Sequence, residues 1–212
     1  MAYMEDILDM PLRDVLASMQ RRFKRRTAYF GVKAIKCPLD NWAYREIIWE
    51  TRPGTVIEIG NAQGGGALFL AHVCDILGHG RVIAVDISHA NIHERVRGHP
   101  RISLVEGDAC RMFPEVKKLV DPLGGVMVVE DSSHTFENTL AVLRTYSALL
   151  KPGDYFVVED GICHHGLRDG PKPGPYEAVE AFVKENQNFA IDRVRESFLI
   201  TWNPKGYLKR VS

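Results

Sequence analysis

Asp131, in the stretch VMVVEDSSH, and the pair Glu159-Asp160, in YFVVEDG, each close an apolar run of strand-forming residues. Acidic side chains gathered in a partly desolvated crevice repel one another and lose hydration that only a cation or a proton restores. A divalent cation answers both costs. Ligands that are all oxygen suit Mg²⁺ or Ca²⁺ rather than zinc, and Mg²⁺ is ordinarily held by one or two carboxylates, which leaves positions open for a substrate. Asp131, Glu159 and Asp160 are therefore expected to form a hard-metal site.

Such acids need elements that bring strand ends together. From TVIEI onward, apolar β-rich runs alternate with helical patterns: strands TVIEI, RVIAVD, RISLVEGD, GVMVVED and DYFVVED are separated by helices near 65–78, 90–97, 111–120 and 135–150, with another helix at 175–187. Strands separated by helices require crossover connections, so the sheet is expected to be largely parallel with helices on both faces, a doubly wound α/β domain. NFAIDRV and SFLITWN lie only a few residues apart, which predicts an antiparallel C-terminal hairpin and brings the sheet to seven strands. Residues 1–53 read as an N-terminal helical cover, with a helix broken around Pro11 and a second over 40–51 that stops at Arg52-Pro53-Gly54; residues 54–212 form the main domain.

Composition restricts the partners. The chain has 212 residues, 45% apolar and 25% charged, enough for a full hydrophobic core. Its 27 basic residues balance 27 acidic ones, so no global field draws it toward nucleic acid or an anionic membrane. Cys37, Cys74, Cys110 and Cys163 form no CxxC pair and are expected to be reduced thiols. The N-terminus MAYMEDILDMPLRDVL lacks the basic start and unbroken apolar core of a signal peptide, and no run reaches membrane-spanning length. A cytoplasmic home, without nucleic acid or membrane, is the expectation, with a homo-oligomer favoured because closed symmetric assemblies are common.

In a doubly wound sheet, ligands sit beyond the carboxyl ends of the strands. After the first strand comes Glu58-Ile59-Gly60-Asn61-Ala62-Gln63-Gly64-Gly65-Gly66, a turn whose glycines let the backbone approach a ligand and leave amides at a helix start. Its spacing differs from GxGxxG, and alone it would read as a tight strand-to-helix turn. The second strand ends at Asp86, where an acid would accept hydrogen bonds from ribose hydroxyls. The third ends in Gly107-Asp108-Ala109, a turn able to contact a base.

EIGNAQGGG, AVDIS, EGDA and VVED resemble the successive motifs of class I S-adenosylmethionine-dependent methyltransferases. More narrowly, WAYREIIWETRPGTVIEIG, DSSHTFENTLAVLRTYSALLKPGDYFVVEDG, GPYEAVEAFV and FLITWNPKGYLKR are similar to the cephalosporin hydroxylase/rhamnosyl O-methyltransferase family over roughly residues 30–210. The resemblance implies a Rossmann-like methyltransferase sheet, with S-adenosylmethionine and a divalent cation such as Mg²⁺ as cofactors. It further implies that Glu58, Gly60 and Gly64 shape the site for the methionine part, that Asp86 takes the ribose, that Asp108 and Ala109 border adenine, and that Asp131, Glu159 and Asp160 bind Mg²⁺. Two positions depart from the pattern: Gly66 stands where relatives often carry serine, and Glu159-Asp160 stands where catechol-type enzymes place Asp-Asn.

The implied reaction is methyl transfer to a hydroxyl of a small natural-product or sugar intermediate, in which positioning supplies most of the help. The hydroxyl must also lose a proton. His134, three residues after Asp131, occupies the offset at which catechol-type enzymes place a catalytic lysine, and its near-neutral intrinsic pKa suits a general base. The competing reading is that His134 caps the helix beginning near Thr135. His164 and His165 are second choices, and their spacing with Cys163 does not suit a local zinc site. Trp42, Tyr44 and Trp49 are expected in the core; residues 164–175 form a candidate lid, with Tyr176 behind it as a candidate pocket residue. Two other functions compete: an oxidative, hydroxylase-type enzyme, for which no 2-His-1-carboxylate set stands out, and a non-catalytic cofactor-binding partner.

Overall fold

The computed structural model describes residues 3–212. Seven strands, β3 (Thr55–Ile59), β4 (Arg81–Asp86), β5 (Ile102–Glu106), β6 (Val126–Glu130), β7 (Tyr155–Val158), β8 (Phe189–Ile191) and β9 (Tyr207–Arg210), form one sheet in the order β5-β4-β3-β6-β7-β9-β8. The first five in that order are parallel. The strand order reverses between β3 and β6, and a crevice opens there at their carboxyl ends. The doubly wound α/β architecture is therefore the observed one, and no helix among the described residues is long and apolar enough to cross a membrane.

Two apolar layers sandwich the sheet. Side chains alternate between them along each strand: Val56, Met127, Val129 and Val157 face α2 (Pro38–Thr51) and α3 (Gly65–Leu77), while Ile57, Val128, Phe156 and Val158 face α5 (Ala109–Leu119), α6 (Phe136–Tyr146) and α7 (Pro175–Glu185). Each fully buried aliphatic or aromatic side chain of this kind stabilises the fold by roughly 1.5–3 kcal/mol. α4 is a single turn, Glu94–Arg97, far shorter than the predicted 90–97 helix. α2 ends where Arg52 turns left-handed, at φ 43, because the following Pro53 disfavours another helical residue.

The N-terminal region differs from its predicted form. In place of a helix broken about Pro11, a short 3-10 turn at Met4–Asp6 precedes one continuous helix, α1 (Leu12–Arg26), that starts directly after the proline. Proline tolerates that place because the first helical amides have no intrahelical partner. Lys24, Arg25 and Arg26 occupy its last turn, where cations complement the helix dipole. β1 (Ala28–Tyr29) and β2 (Val32–Lys33) make a small separate hairpin.

The C-terminal antiparallel pairs are present, yet the second strand is not SFLITWN. β8 and β7 both pair with β9, the YLKR segment. The backbone of the apolar run is claimed elsewhere: buried Asp40 accepts hydrogen bonds from Thr201 Oγ1 at 2.5 Å, Trp202 N at 2.8 Å and Tyr207 Oη at 2.9 Å. A buried carboxylate demands such partners, and this one fixes residues 201–202 as a loop across α2. Trp42 and Trp49, expected in the core, are 50% and 61% exposed, and Arg45 lies over the Trp42 ring; Tyr44 alone of the three is buried.

Candidate active site

Strand parity places the acids. Glu58 on β3, Asp131 just beyond β6 and Glu159 just beyond β7 follow Val56, Val129 and Val157 by two residues, so all three project to the α2–α3 face of the sheet. The strands remain in register to their tips, where Asp131 N donates to Ile59 O and Glu159 N to Glu130 O at 2.8 and 2.9 Å. Adjacent strands lie about 4.8 Å apart, so the carboxylates converge.

What they converge on is Lys36. Its Nζ lies 2.6 Å from Asp131 Oδ2, 2.6 Å from Glu159 Oε1 and 3.2 Å from Glu58 Oε1. Tyr44 Oη donates to the same Glu159 oxygen at 2.8 Å, and Asn61 Nδ2 donates to Glu58 Oε2 at 2.9 Å. Burial opposes the ammonium charge, but the Asp131, Glu159 and Glu58 carboxylates prevail and hold Lys36 well above its ordinary pKa. Burial also pushes Glu159 up to about 7, against the pull of Lys36. Sequence reasoning missed this lysine, whose neighbours AIKCP carry no motif.

Gly66 belongs to the same arrangement. A Cβ there would stand 2.1 Å from Glu58 Oε1 and 2.8 Å from Lys36 Cε, so the departure from serine makes room for the lysine–carboxylate cluster.

Asp160 would face the opposite side by simple alternation, but β7 ends at Val158 and Asp160 adopts φ 58. His134 adopts φ 57. Left-handed backbone in non-glycine residues is costly and concentrates at functional sites. Here it brings His134 Nε2 to 3.2 Å from Asp160 Oδ2 and 3.8 Å from Asp131 Oδ1. Asp131, His134 and Asp160 each offer a ligand atom within 4.8 Å of the others. Glu159 is not part of that group, since Lys36 and Tyr44 hold its carboxylate. Burial pulls His134 below its ordinary pKa despite Asp160 beside it, which leaves the imidazole neutral near pH 7. The helix cap is Thr135, whose side chain accepts from Asn138 N at 3.4 Å, and not His134.

A cavity of about 1300 Å³ opens over these groups. Gly60, at φ 88, packs so closely on β6 that a Cβ would meet Asp131 O at 2.1 Å; this glycine brings the loop to the switch point. Gly64, also left-handed, caps α3, whose first amides carry no side-chain cap. Asp86 Oδ2 accepts from Asn61 N and Ala62 N at 2.6 and 3.0 Å, which orients the carboxylate at the cavity wall. Asp108 caps α5 by accepting from Arg111 N at 2.9 Å, and with Ala109 it lines the same wall. Leu167 to Pro171 of the proposed lid also line the cavity. His164, His165 and Tyr176 are not in its lining: His165 Nε2 donates to Glu177 Oε1 at 2.9 Å and its ring stacks on Tyr176 at 3.6 Å.

The donor set suits a divalent cation on charge grounds. Four carboxylates, those of Glu58, Asp131, Glu159 and Asp160, face one ammonium and one neutral imidazole. Burial, with Glu159 and Asp160 nearby, keeps Asp131 well above the usual carboxylate range even with Lys36 in contact. A further cation or a proton would relieve that repulsion.

Known proteins share both sequence and architecture with this chain. The family model described as rhamnosyl O-methyltransferase/CmcI matches residues 21–211. A rhamnosyl O-methyltransferase of Mycobacterium bovis (strain BCG) is 35% identical over 192 residues, covering 87% of this chain and 78% of that protein. Its counterpart in Mycobacterium leprae is 35% identical over 191 residues, covering 87% and 83%. Among solved structures, a CmcI structure with Mg and SAM superposes with a TM-score of 0.71 at 22% identity over 88% of this chain and 77% of that one. An O-methyltransferase from Bacillus cereus in complex with SAH gives 0.58 at 15% identity over 89% and 86%. At those identities the structural likeness speaks to the fold, while the family model and the mycobacterial relatives speak to descent. The chain belongs to the rhamnosyl O-methyltransferase/CmcI family and is an enzyme of the O-methyltransferase class.

Proposed function

We propose that the chain transfers a methyl group from S-adenosylmethionine to a hydroxyl of a small sugar-bearing molecule, rhamnose-like in the manner of its named relatives, and that the transfer depends on a divalent cation. The observation that carries this reading is the convergence of Asp131, His134 and Asp160 beneath the cavity, beside the Gly60–Gly64 turn. S-adenosylmethionine supplies an electrophilic methyl group, and Mg²⁺ lowers the pKa of a coordinated hydroxyl while fixing its direction. Asp131 Oδ1, Asp160 Oδ2 and His134 Nε2 would hold the cation. In this reading Asp86 would take the ribose hydroxyls, Asp108 and Ala109 would border the base, and the uncapped amides of α3 would meet a carboxylate.

Within this reading, the protein's own part is orientation and the management of charge. Lys36 engages Asp131 Oδ2 and leaves Oδ1 toward His134. Ser132 Oγ donates to Glu130 at 2.7 Å and accepts from Asn138 Nδ2 at 2.8 Å, a pair that holds the 131–134 turn against α6. His134 is kept neutral, so its lone pair serves an ion or the acceptor's proton.

The test is transfer of label from S-adenosylmethionine to rhamnoside acceptors with Mg²⁺ and with EDTA. Label transfer that persists in EDTA would remove the metal from the reading. His134→Gln separates two roles: loss of a ligand weakens metal binding, whereas loss of a base lowers kcat with metal affinity kept. Cofactor binding without turnover on any acceptor would favour the non-catalytic alternative.

A further inference from the structure

The cavity lining has parts of opposite sign. Strand ends give its lining Asp86, Asp131 and Asp160, and its outer part carries Arg13, Arg21 and Lys24 from α1 and Arg168 from the 164–175 segment, with Lys33 from β2 at the start of α3. Against these five cations the outer wall sets two acids, Asp14 and Asp169, and Asp14 lies 3.5 Å from Arg168. Arg13, Arg21, Lys24 and Lys33 make no ion pair with a carboxylate among the described residues.

This wall is anchored. Leu16 of α1 is buried, the Phe23 ring meets Trp202 edge-on at 4.8 Å, and Trp202 Nε1 donates to Gln20 at 2.7 Å. Residues 13, 17, 20 and 24 share one helical stripe, so packing of the apolar flank turns Arg13 and Lys24 toward the cavity. Like charges collected around an opening repel one another unless an anion enters, and guanidinium and ammonium groups are the side chains that recognise phosphate and carboxylate.

We propose that the outer wall is an anion subsite, and that the methyl acceptor is a sugar carrying a phosphate, diphosphate or carboxylate group away from the hydroxyl that receives the methyl. This assignment rests on the methyl-transfer reading and narrows its substrate class. The acceptor spans the cavity, with its hydroxyl at the strand-end acids and its anion against α1.

Calorimetry on the intact chain with bound S-adenosylhomocysteine tests it, using methyl rhamnoside, rhamnose 1-phosphate, a nucleoside-diphosphate-linked rhamnose and a uronic acid as probes. At least one anionic probe should bind about tenfold or more tighter than the neutral glycoside. That advantage should shrink as salt rises, vanish in the double variant Arg21→Met, Lys24→Met, and survive in Lys24→Arg. The phosphorylated and carboxylated arms identify the anion's source. Equal affinity for neutral and anionic probes, or failure of every anionic probe to bind, would overturn the subsite. So would a double variant that loses S-adenosylhomocysteine affinity instead, because the cations would then serve the cofactor's carboxylate. A wild-type chain that binds no S-adenosylhomocysteine would sink the methyl-transfer reading itself.

Discussion

Two carboxylate clusters share one residue and solve the same electrostatic problem differently. Asp131 gives Oδ2 to Lys36, in company with Glu58 and Glu159, and turns Oδ1 toward His134, in company with Asp160. In the first cluster the Glu58 and Glu159 side chains are 1% and 7% exposed and the cation is covalently part of the chain. In the second, Asp160 and His134 are 25% and 28% exposed and open to the cavity. Lys36 and Glu58 also border the cavity, but a cluster this buried and holding its own ammonium is a structural device, whereas the more exposed one leaves room for an exchangeable ion and a substrate.

The largest effect should come from the closed side. Lys36→Met leaves buried carboxylates without their partner, which costs about 3–5 kcal/mol; thermal denaturation should show a drop of roughly 6–20 °C for a chain of this size. A variant melting with the wild type would show that Lys36 does not hold the cluster. On the open side, Asp160→Ala should lower metal-dependent transfer by about a hundredfold while costing at most about 1–2 kcal/mol of stability, measured by kinetics and urea unfolding. The reverse outcome, a folding defect with activity intact, would exchange the roles of the two clusters. Gly66→Ala should cost about 1–3 kcal/mol by overpacking, since its Cβ would fall 2.1 Å from Glu58 Oε1. A rise in stability there would mean that Glu58 and Lys36 part easily. Smallest of all should be the response of folding to metal removal: EDTA should stop transfer yet move the melting temperature by only a few degrees, because Lys36 stays in place.

Much of this contrast was open to sequence reading, because period-two alternation at VMVVED and YFVVED fixes which acids share a face. The parallel sheet, the switch-point loop and Asp86 followed from the same alternation of strands and helices. Lys36 escaped because it meets the acids from residues 95 and 123 positions away in the chain, a contact that no local pattern encodes. The left-handed turns at His134 and Asp160 were equally hidden, and they decide that Asp160 rather than Glu159 joins His134. The C-terminal strand was misplaced because SFLITWN carries the more apolar run, while capture by Asp40 leaves the pairing to YLKR.

The Asp131 carbonyl fits against Gly60 with no space for even a methyl group, and this has a bearing on how the family diversifies. A one-residue insertion within Val126–Glu130 would invert the frame of the strand, sending Asp131 beneath α6 and lifting Glu130 toward Lys36. Surface connections such as 164–175 carry no such parity and are free to lengthen or shorten. Substrate range can therefore drift through the rim while the strand tips keep the count of residues that makes the chemistry possible.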